Sequence, residues 1–287
     1  MVDRPFLIAA VILFGALLLL LERVLVLRYA SRPLLARLLV NACVAALAFA
    51  TSMLLVRPAA VMTLEWAREE PFGLLHVVPL APAAQFVLSF LLMDLTFYWW
   101  HVANHRMPLL WRFHNVHHVD PDLDVSTAFR FHPGEVALSA GFRVLQISAI
   151  GLSAGMFAAY ELMFQANTLF HHSNVRLPIR LERWLNLIIV TPRMHGIHHS
   201  QIRDEAQSNY SVVLSSWDRL HRTLRLNVPQ SEITIGVPAY SNPGDNAVWY
   251  GLRLPFGRQR EYWRRSDGTS VERDRNRATG HPSRLAE

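Results

Sequence analysis

Cysteine and lysine are the residues that this sequence most clearly lacks. The 287-residue chain has one cysteine, Cys43, inside an apolar run, and every basic residue is arginine because no lysine is present. A single cysteine excludes an internal disulfide and a thiolate metal cluster within one chain. Any metal bound by the chain must therefore be held by histidine, carboxylate or backbone groups.

Charged residues are also scarce, at 17% of the chain against 52% hydrophobic residues. The apolar residues lie in long runs, which is typical of a membrane protein. The net charge of +6 raises the possibility of nucleic-acid binding. No basic helix or aromatic platform motif supports that function. Arginines beside apolar runs are better explained as topology signals and lipid anchors, so we expect no nucleic-acid partner.

Three apolar segments approach or exceed the length needed to cross a bilayer, roughly 20 residues. They cover residues 5–21, 38–56 and 77–100. A signal peptide is the competing interpretation of the first segment, but no small-residue cleavage site follows it directly. We therefore expect about three N-terminal transmembrane helices.

The loop between the first two segments predicts the topology. Residues 28–37 contain three arginines and no acidic residue. The positive-inside rule places such a loop in the cytoplasm. The third span then ends in the cytoplasm at His101.

A fourth apolar stretch, residues 136–170, is interrupted by Gly151 and Gly155. Because paired glycines favour a turn, we expect two short helices, about 137–150 and 156–172, that form a hairpin into the bilayer. This hairpin returns the chain to the cytoplasmic face.

The predicted fold is an all-α integral membrane protein with a helical, histidine-rich di-metal domain capping the spans on the cytoplasmic face. Residues 1–76 would form N-terminal transmembrane helices and a loop, and residues 77–225 a catalytic domain that includes the third span and the hairpin. Residues 226–287 would form a polar, arginine-rich tail, which is aperiodic from 256 onward and therefore expected to be disordered.

Histidine is abundant: eleven of the fourteen histidines lie between residues 101 and 199. Their spacings of three and four residues place imidazoles on one helical face. The repeated patterns are His101-x3-His105, His114-x2-His117-His118 and His195-x2-His198-His199, with His132 and the pair His171-His172 between them. His76, His221 and His281 lie outside these patterns, and we expect them not to bind metal.

Imidazole is a ligand suited to iron, zinc, copper and nickel. A lone histidine is usually a hydrogen-bonded filler, but repeated spacing at the ends of apolar spans favours metal binding. About ten candidate ligands exceed the four of a tetrahedral site, so two metals are the economical interpretation. A carboxylate near a span end is costly without a partner, which makes Asp94 a candidate for orienting a ligand.

The metal and the reaction stay open on these residues alone. Zinc would suit hydrolysis, whereas attack on an unactivated C–H bond of a lipid requires redox-active iron and dioxygen. A transporter would place its ligands at mid-membrane depth rather than at span ends. A pH-sensitive histidine interface is a further alternative.

The ordered motifs between Asp94 and Thr223 resemble the fatty acid hydroxylase / sterol desaturase superfamily. The motifs are Asp94-Leu-Thr-Phe-Tyr-Trp-Trp-His101-x3-His105, Leu110-Trp-Arg-Phe-His114-x2-His117-His118, Arg130-x-His132-Pro, His172-Ser-Asn174, Thr191-Pro-x-x-His195-x2-His198-His199, Asn209-Tyr210 and Trp217-Asp218-Arg-Leu. The resemblance implies a multi-pass membrane di-iron oxygenase that hydroxylates or desaturates a lipid or sterol, using dioxygen and external electrons.

The resemblance also implies the site residues. The expected metal ligands are His101, His105, His114, His117, His118, His132, His172, His195, His198 and His199, and the candidates that orient them are Asp94, Glu135, His171 and Asn174. Two iron ions are the expected cofactor, with zinc able to replace them in preparations. The electron donor is expected to be a separate protein of the cytochrome b5, ferredoxin or reductase type.

Overall fold

The computed structural model describes residues 5–273, and its regular secondary structure within that range is helical, as predicted. Antiparallel pairing is limited there to isolated bridges, such as Val26 with Val175. The α-helices are α1 (Pro5–Val24), α2 (Leu34–Thr51), α3 (Arg57–Glu69), α4 (Leu74–Val77), α5 (Pro82–Arg106), α6 (Pro108–His118), α7 (Pro133–Ile150), α8 (Ala154–His172), α9 (Ile179–Leu185), α10 (Pro192–His198), α11 (Arg203–Ala206), α12 (Ser216–Leu220) and α13 (Val248–Arg253).

Two helical segments of the described chain are long and apolar enough to cross a membrane, Leu34–Val77 and Pro82–Arg106. The first contains the second predicted span, 38–56. The other begins five residues after the predicted start of the third span, 77–100, and extends beyond its predicted end to Arg106. The first predicted span coincides with α1, and its crossing of a membrane stays a prediction. Length and composition of these helices indicate membrane association.

The second span continues further than predicted. Beyond a π-helical turn at Ser52–Val56 the chain stays helical as α3, up to Glu69. The cause is a buried stripe at helical spacing, Ala60, Leu64 and Ala67, on a segment that also carries charged residues. An amphipathic helix of this kind packs against a neighbour without being apolar all round.

The hairpin of α7 and α8 has the predicted helices and turn. Gly151 ends α7 with a left-handed φ of 81°, and the side chain of Ser153 caps the first turn of α8. Gly73, also left-handed at φ 101°, lies so close to Gly151 that a Cβ on either residue would clash with the opposing chain. Both glycines are therefore required for the α3–α4 connection to contact the hairpin tip.

Helix α5 packs against both helices of the hairpin through aromatic side chains. The ring of Phe97 lies 5.3 Å from that of Phe142 on α7 and 4.6 Å from that of Phe164 on α8. Met93 and Tyr160 are fully buried beside them. This core packs α5 and α8, which carry three of the predicted ligands at their C-terminal ends, against α7.

Much of the predicted tail packs on α6. Trp111 and Val116 share an apolar cluster with Leu254, and the rings of Tyr262 and Trp263 lie 5.8 and 5.9 Å from that of Trp111. The prediction of disorder from 256 onward is therefore wrong for residues up to Trp263. Aromatic residues pack there at positions that follow no regular helix or strand spacing, so the sequence pattern does not reveal them. Residues 274–287 of that prediction lie outside the described residues.

Candidate metal centre

Nine of the ten predicted ligands converge in two buried clusters. The candidate donor atoms within each cluster all lie within 4.8 Å of one another. The first cluster contains His101, His105, His114, His118 and His198, and the second contains His117, His172, His195 and His199.

The helical spacing of α6 divides its box between the two clusters. His114 and His118, four residues apart, join the first cluster, while His117 joins the second. The box on α10 is divided in the opposite sense, because His198 joins the first cluster and the pair His195 and His199 joins the second. The two boxes with the same spacing therefore complement each other across the centre.

Backbone carbonyls hold three of the rings in place. The Nδ1 atoms of His101 and His198 lie 2.7 Å from the carbonyl oxygens of Tyr210 and Ser208. His172 Nδ1 lies 2.8 Å from the carbonyl oxygen of Thr168. A proton on Nδ1 that is donated to a carbonyl leaves the Nε2 lone pair free to bind a metal.

His114 is held by a carboxylate instead. Its Nδ1 donates to Glu135 Oε1 over 2.8 Å, and both side chains are buried. A carboxylate partner raises the basicity of a metal-bound imidazole and fixes its orientation. Glu135 therefore occupies the orienting position predicted for it.

The nitrogen atoms of the second cluster face one another at short range. His172 Nε2 lies 3.1 Å from His117 Nε2 and 3.0 Å from His195 Nε2, and the latter lies 3.1 Å from His199 Nε2. With the proton of His172 on Nδ1, its Nε2 presents a lone pair to these neighbours. Neutral imidazoles whose Nε2 atoms converge in this way can bind one cation between them, so these residues fit a metal ion.

Unpartnered nitrogens give the same result for the first cluster. The Nε2 atoms of His105, His114, His118 and His198 are buried and have no hydrogen-bond partner in the described residues. Buried polar atoms without partners are rare because desolvation is costly. A metal ion bound by the five imidazoles would satisfy them.

Burial keeps these imidazoles neutral. It lowers the pKa of His198 to about 3. Burial, reinforced by the neighbouring imidazoles, also lowers the pKa of His118, His195 and His199 well below the ordinary value. A neutral imidazole is the form that binds metal ions, so these histidines are in the metal-binding form at physiological pH.

His132 is the one predicted ligand that the structure does not bring to either cluster. Its Nδ1 accepts a hydrogen bond of 2.8 Å from the backbone N–H of Gly134, at the start of α7. Its Nε2 lies 3.1 Å from the carbonyl oxygen of Leu252. Both nitrogens are occupied, so this geometry corrects the prediction, and His132 is a helix-capping residue.

Two of the orienting candidates contact the chain near the clusters rather than a ligand's nitrogen. Asp94 accepts hydrogen bonds from Tyr160, from Trp217 and from two backbone N–H groups, and so fixes the loop between α11 and α12. Asn174 exchanges hydrogen bonds with the backbone of Arg28. His171 differs, because its ring lies 4.6 and 4.2 Å from the rings of His172 and His195.

Sequence reasoning missed the backbone carbonyls of Ser208 and Tyr210, because any residue type can supply a carbonyl. Asn209, between them, has a left-handed φ of 55°. Asp218 accepts hydrogen bonds from the N–H groups of Tyr210 and Ser211 over 2.8 and 2.9 Å. The Asn209-Tyr210 and Trp217-Asp218 motifs therefore shape one loop that supports His101 and His198.

A cavity of about 200 Å³ adjoins both clusters. His101 and His114 of the first cluster and His117, His172 and His195 of the second line it. Four aromatic side chains also line it: Phe97, Trp100, Phe131 and Phe164. A mostly apolar cavity with a few polar groups is the usual form of a small-molecule site.

Residues 86–223 match the family model for fatty acid hydroxylase. The histidine-rich segment is similar to the fatty acid hydroxylase family. This confirms the resemblance found in the motifs, and the matched segment contains all nine clustered histidines.

Several curated proteins are similar to the chain. Ornithine lipid hydroxylase OlsE from Rhizobium tropici is 30% identical over 177 residues, covering 62% of the chain and 52% of that protein. Human alkylglycerol monooxygenase is 31% identical over 47% of the chain and 29% of its own length. Human cholesterol 25-hydroxylase is 25% identical, over 58% of the chain and 60% of its own length. The chain thus spans from under a third to three fifths of these relatives, and no solved structure matches it significantly.

Proposed function

We propose that this protein is a membrane-bound di-iron oxygenase that hydroxylates a lipid or sterol, using dioxygen and electrons from a separate donor. The observation that carries the proposal is a cavity lined both by histidines of the two clusters and by aromatic side chains. Such a cavity accepts an alkyl chain or ring and holds it beside two metal sites. The similarity to these relatives, all lipid or sterol hydroxylases or monooxygenases, favours hydroxylation over desaturation.

Iron is the metal that suits this chemistry. The nine clustered histidines would hold two ions, five imidazoles at one and four at the other. When bound, redox-active iron supplies the activation of dioxygen that an unactivated C–H bond requires. The chain's own residues position the lipid against the aromatic side chains of the cavity, keep bulk water out and orient the imidazoles through Glu135 and backbone carbonyls.

The topology belongs to the same proposal. The arginines of residues 28–37 support a cytoplasmic position for the loop between α1 and α2, and therefore for the metal centre. A lipid substrate would enter from the bilayer, and a cytoplasmic donor of the cytochrome b5, ferredoxin or reductase type would supply electrons. The arginine-rich surface provides charge complementarity for an acidic donor.

The decisive experiment compares the lipids of cells that express the wild-type protein or His198→Ala under ¹⁸O-labelled dioxygen. We expect a lipid that carries ¹⁸O only with the wild type, and about two irons per purified wild-type chain. Loss of two hydrogens without label would indicate desaturation instead.

An anaerobic assay separates this proposal from a zinc-dependent membrane hydrolase. A hydrolase needs neither dioxygen nor a reductant, so turnover that persists without both would overturn the oxygenase. Full activity in iron-free protein would do the same.

A further inference from the structure

The cavity beside the metal clusters is lined by polar side chains as well as aromatic ones. Asn104 on α5, Glu135 on α7 and Thr168 on α8 all line it. Their exposed fractions are 2%, 6% and 5%. Three helices thus bring buried polar side chains to the same small space, next to the site where the substrate would react.

Each of these side chains has an oxygen atom without a partner. Asn104 Oδ1, Glu135 Oε2 and Thr168 Oγ1 make no hydrogen bond within the described residues. The other oxygen of Glu135 already accepts from His114. Most buried polar atoms in proteins are hydrogen-bonded, so three unpartnered oxygens in one cavity indicate a ligand that completes them.

The chemistry of these three oxygen atoms indicates which group on a ligand would bind them. The amide oxygen of Asn104 and the carboxylate oxygen of Glu135 accept hydrogen bonds, and the hydroxyl of Thr168 can accept as well as donate. A hydrocarbon has nothing to offer these oxygens. The complementary group on a ligand is a donor, either a hydroxyl O–H or an amide N–H.

The described residues that line the cavity provide no free cation for an anionic head group. Its one arginine, Arg143, is committed elsewhere: Nη2 lies 2.7 Å from Glu161 Oε1 and Nη1 donates to Gln146 over 3.1 Å. The guanidinium also lies 4.2 Å from the centre of the Phe97 ring. A cavity whose cation is paired in this way favours a neutral polar group over an anionic head group.

We propose that the substrate is a lipid with a neutral O–H or N–H donor near the carbon that is oxidised, and that Asn104, Glu135 and Thr168 bind this donor. This rests on the proposed function for the identity of the reaction. It narrows the substrate from any alkyl chain or sterol to a hydroxyl-bearing or secondary-amide lipid. A site built to accept such a hydrogen bond discriminates strongly against an analogue that lacks the donor.

Two pairs of matched lipids test the proposal by binding. One pair is an N-methyl fatty amide and the methyl ester of the same acyl chain, and the other is a fatty alcohol and its methyl ether. Each lipid is titrated into the purified full-length protein, and binding is followed by the shift in unfolding temperature. We expect the donor member of at least one pair to bind wild type about tenfold more tightly, the effect of one hydrogen bond to a buried acceptor.

Substitutions assign that preference to residues. Asn104→Leu and Thr168→Val should each reduce the preference severalfold, whereas Asn104→Asp and Thr168→Ser retain an acceptor and should retain it. Ser139→Ala is the matched control, because Ser139 lines the same cavity but its hydroxyl already donates to the carbonyl oxygen of Val136 over 2.7 Å. Metal content measured on every variant shows whether the neighbouring clusters are intact.

The results separate this proposal from the function on which it rests. Equal binding of donor and non-donor lipids by wild type would overturn it, as would a preference that survives both Asn104→Leu and Thr168→Val. Oxidation of both members of a pair at equal rates, with equal binding, would leave the oxygenase standing and remove the donor site. A donor preference without any oxidised product would support the donor site and contradict the proposed oxygenase function.

Discussion

Two buried polar regions of this molecule differ in whether their atoms have partners. Around the metal centre, ring nitrogens and three cavity oxygens have none in the described residues. Around Arg37, near the start of α2, all three guanidinium nitrogens donate hydrogen bonds, including 2.9 Å to Asp120 and 2.7 Å to Asp124. The first region is arranged for something that binds to the chain, whereas the second needs only the chain itself.

The Arg37 region shows what a satisfied interior contains. Asp120 also accepts from Asn41 and from Thr127 over 2.9 and 2.8 Å. Burial alone would raise the pKa of Asp120, but Arg37 and Arg130 hold it below the ordinary value. This pairing ties α2 to the loop that follows α6, and neither Arg37 nor Asp120 has a buried side-chain atom without a partner in the described residues. A buried polar cluster is therefore informative about function mainly where its atoms lack partners.

The largest effect is expected when one histidine is removed from each cluster of the metal centre. His118→Ala leaves four imidazoles at the first cluster, while His199→Ala leaves only three at the second. Because four protein ligands still complete a tetrahedral site, we expect His118→Ala to retain more metal than His199→Ala, although oxidised product falls to background in both. Metal analysis of purified protein measures the difference, and equal metal loss would contradict it.

The next largest effect belongs to the satisfied region. Arg37→Gln leaves Asp120 and Asp124 buried without their cation, and breaking a buried ion pair costs about 3–5 kcal/mol of stability. Thermal unfolding in detergent should show this loss. Arg68→Gln is the control, since Arg68 and its partner Glu69 are exposed and such pairs contribute less than about 1 kcal/mol. A loss of stability in Arg37→Gln no larger than that in Arg68→Gln would contradict a stabilising role for the Arg37 network.

Removal of a partner that orients a ligand should have a smaller effect. Glu135→Ala deletes the acceptor for His114 Nδ1, and loss of such a partner typically lowers metal affinity about 10–100-fold. Competition with a chelator measures the affinity. Glu135→Gln keeps an acceptor oxygen and should lose less than Glu135→Ala, and an unchanged affinity in both variants would show that His114 does not need this partner.

The smallest effect is expected outside the clusters. His132→Ala removes the N-terminal cap of α7 and should cost about 1 kcal/mol of stability with no change in metal content. His132→Asn, which can still cap the helix, should recover most of that stability. Loss of metal from His132→Ala would restore His132 to the candidate ligands.

The resemblance of the motifs to a known family implied the expected ligands. Sequence spacing predicted the helices and placed the histidines of each box on one helical face, because three and four residues on a helix fix which side chains share a face. Spacing could not predict that His117 joins a different cluster from His114 and His118, because the assignment depends on how α6 and α10 face each other. The role of His132 was also hidden, because a carbonyl at Leu252, 120 residues away, occupies its ring. The packing of Tyr262 and Trp263 on Trp111 follows no period that a sequence displays.

The sharing of α6 and α10 between both clusters has a consequence for how the protein is made. Neither site has its full set of ligands until α10 has been synthesised and docked, after α1 to α8 have emerged from the ribosome. Metal loading must therefore follow assembly of the preceding helices. Metal delivery is then a late step of maturation, and a cell short of that metal would accumulate full-length chains without it.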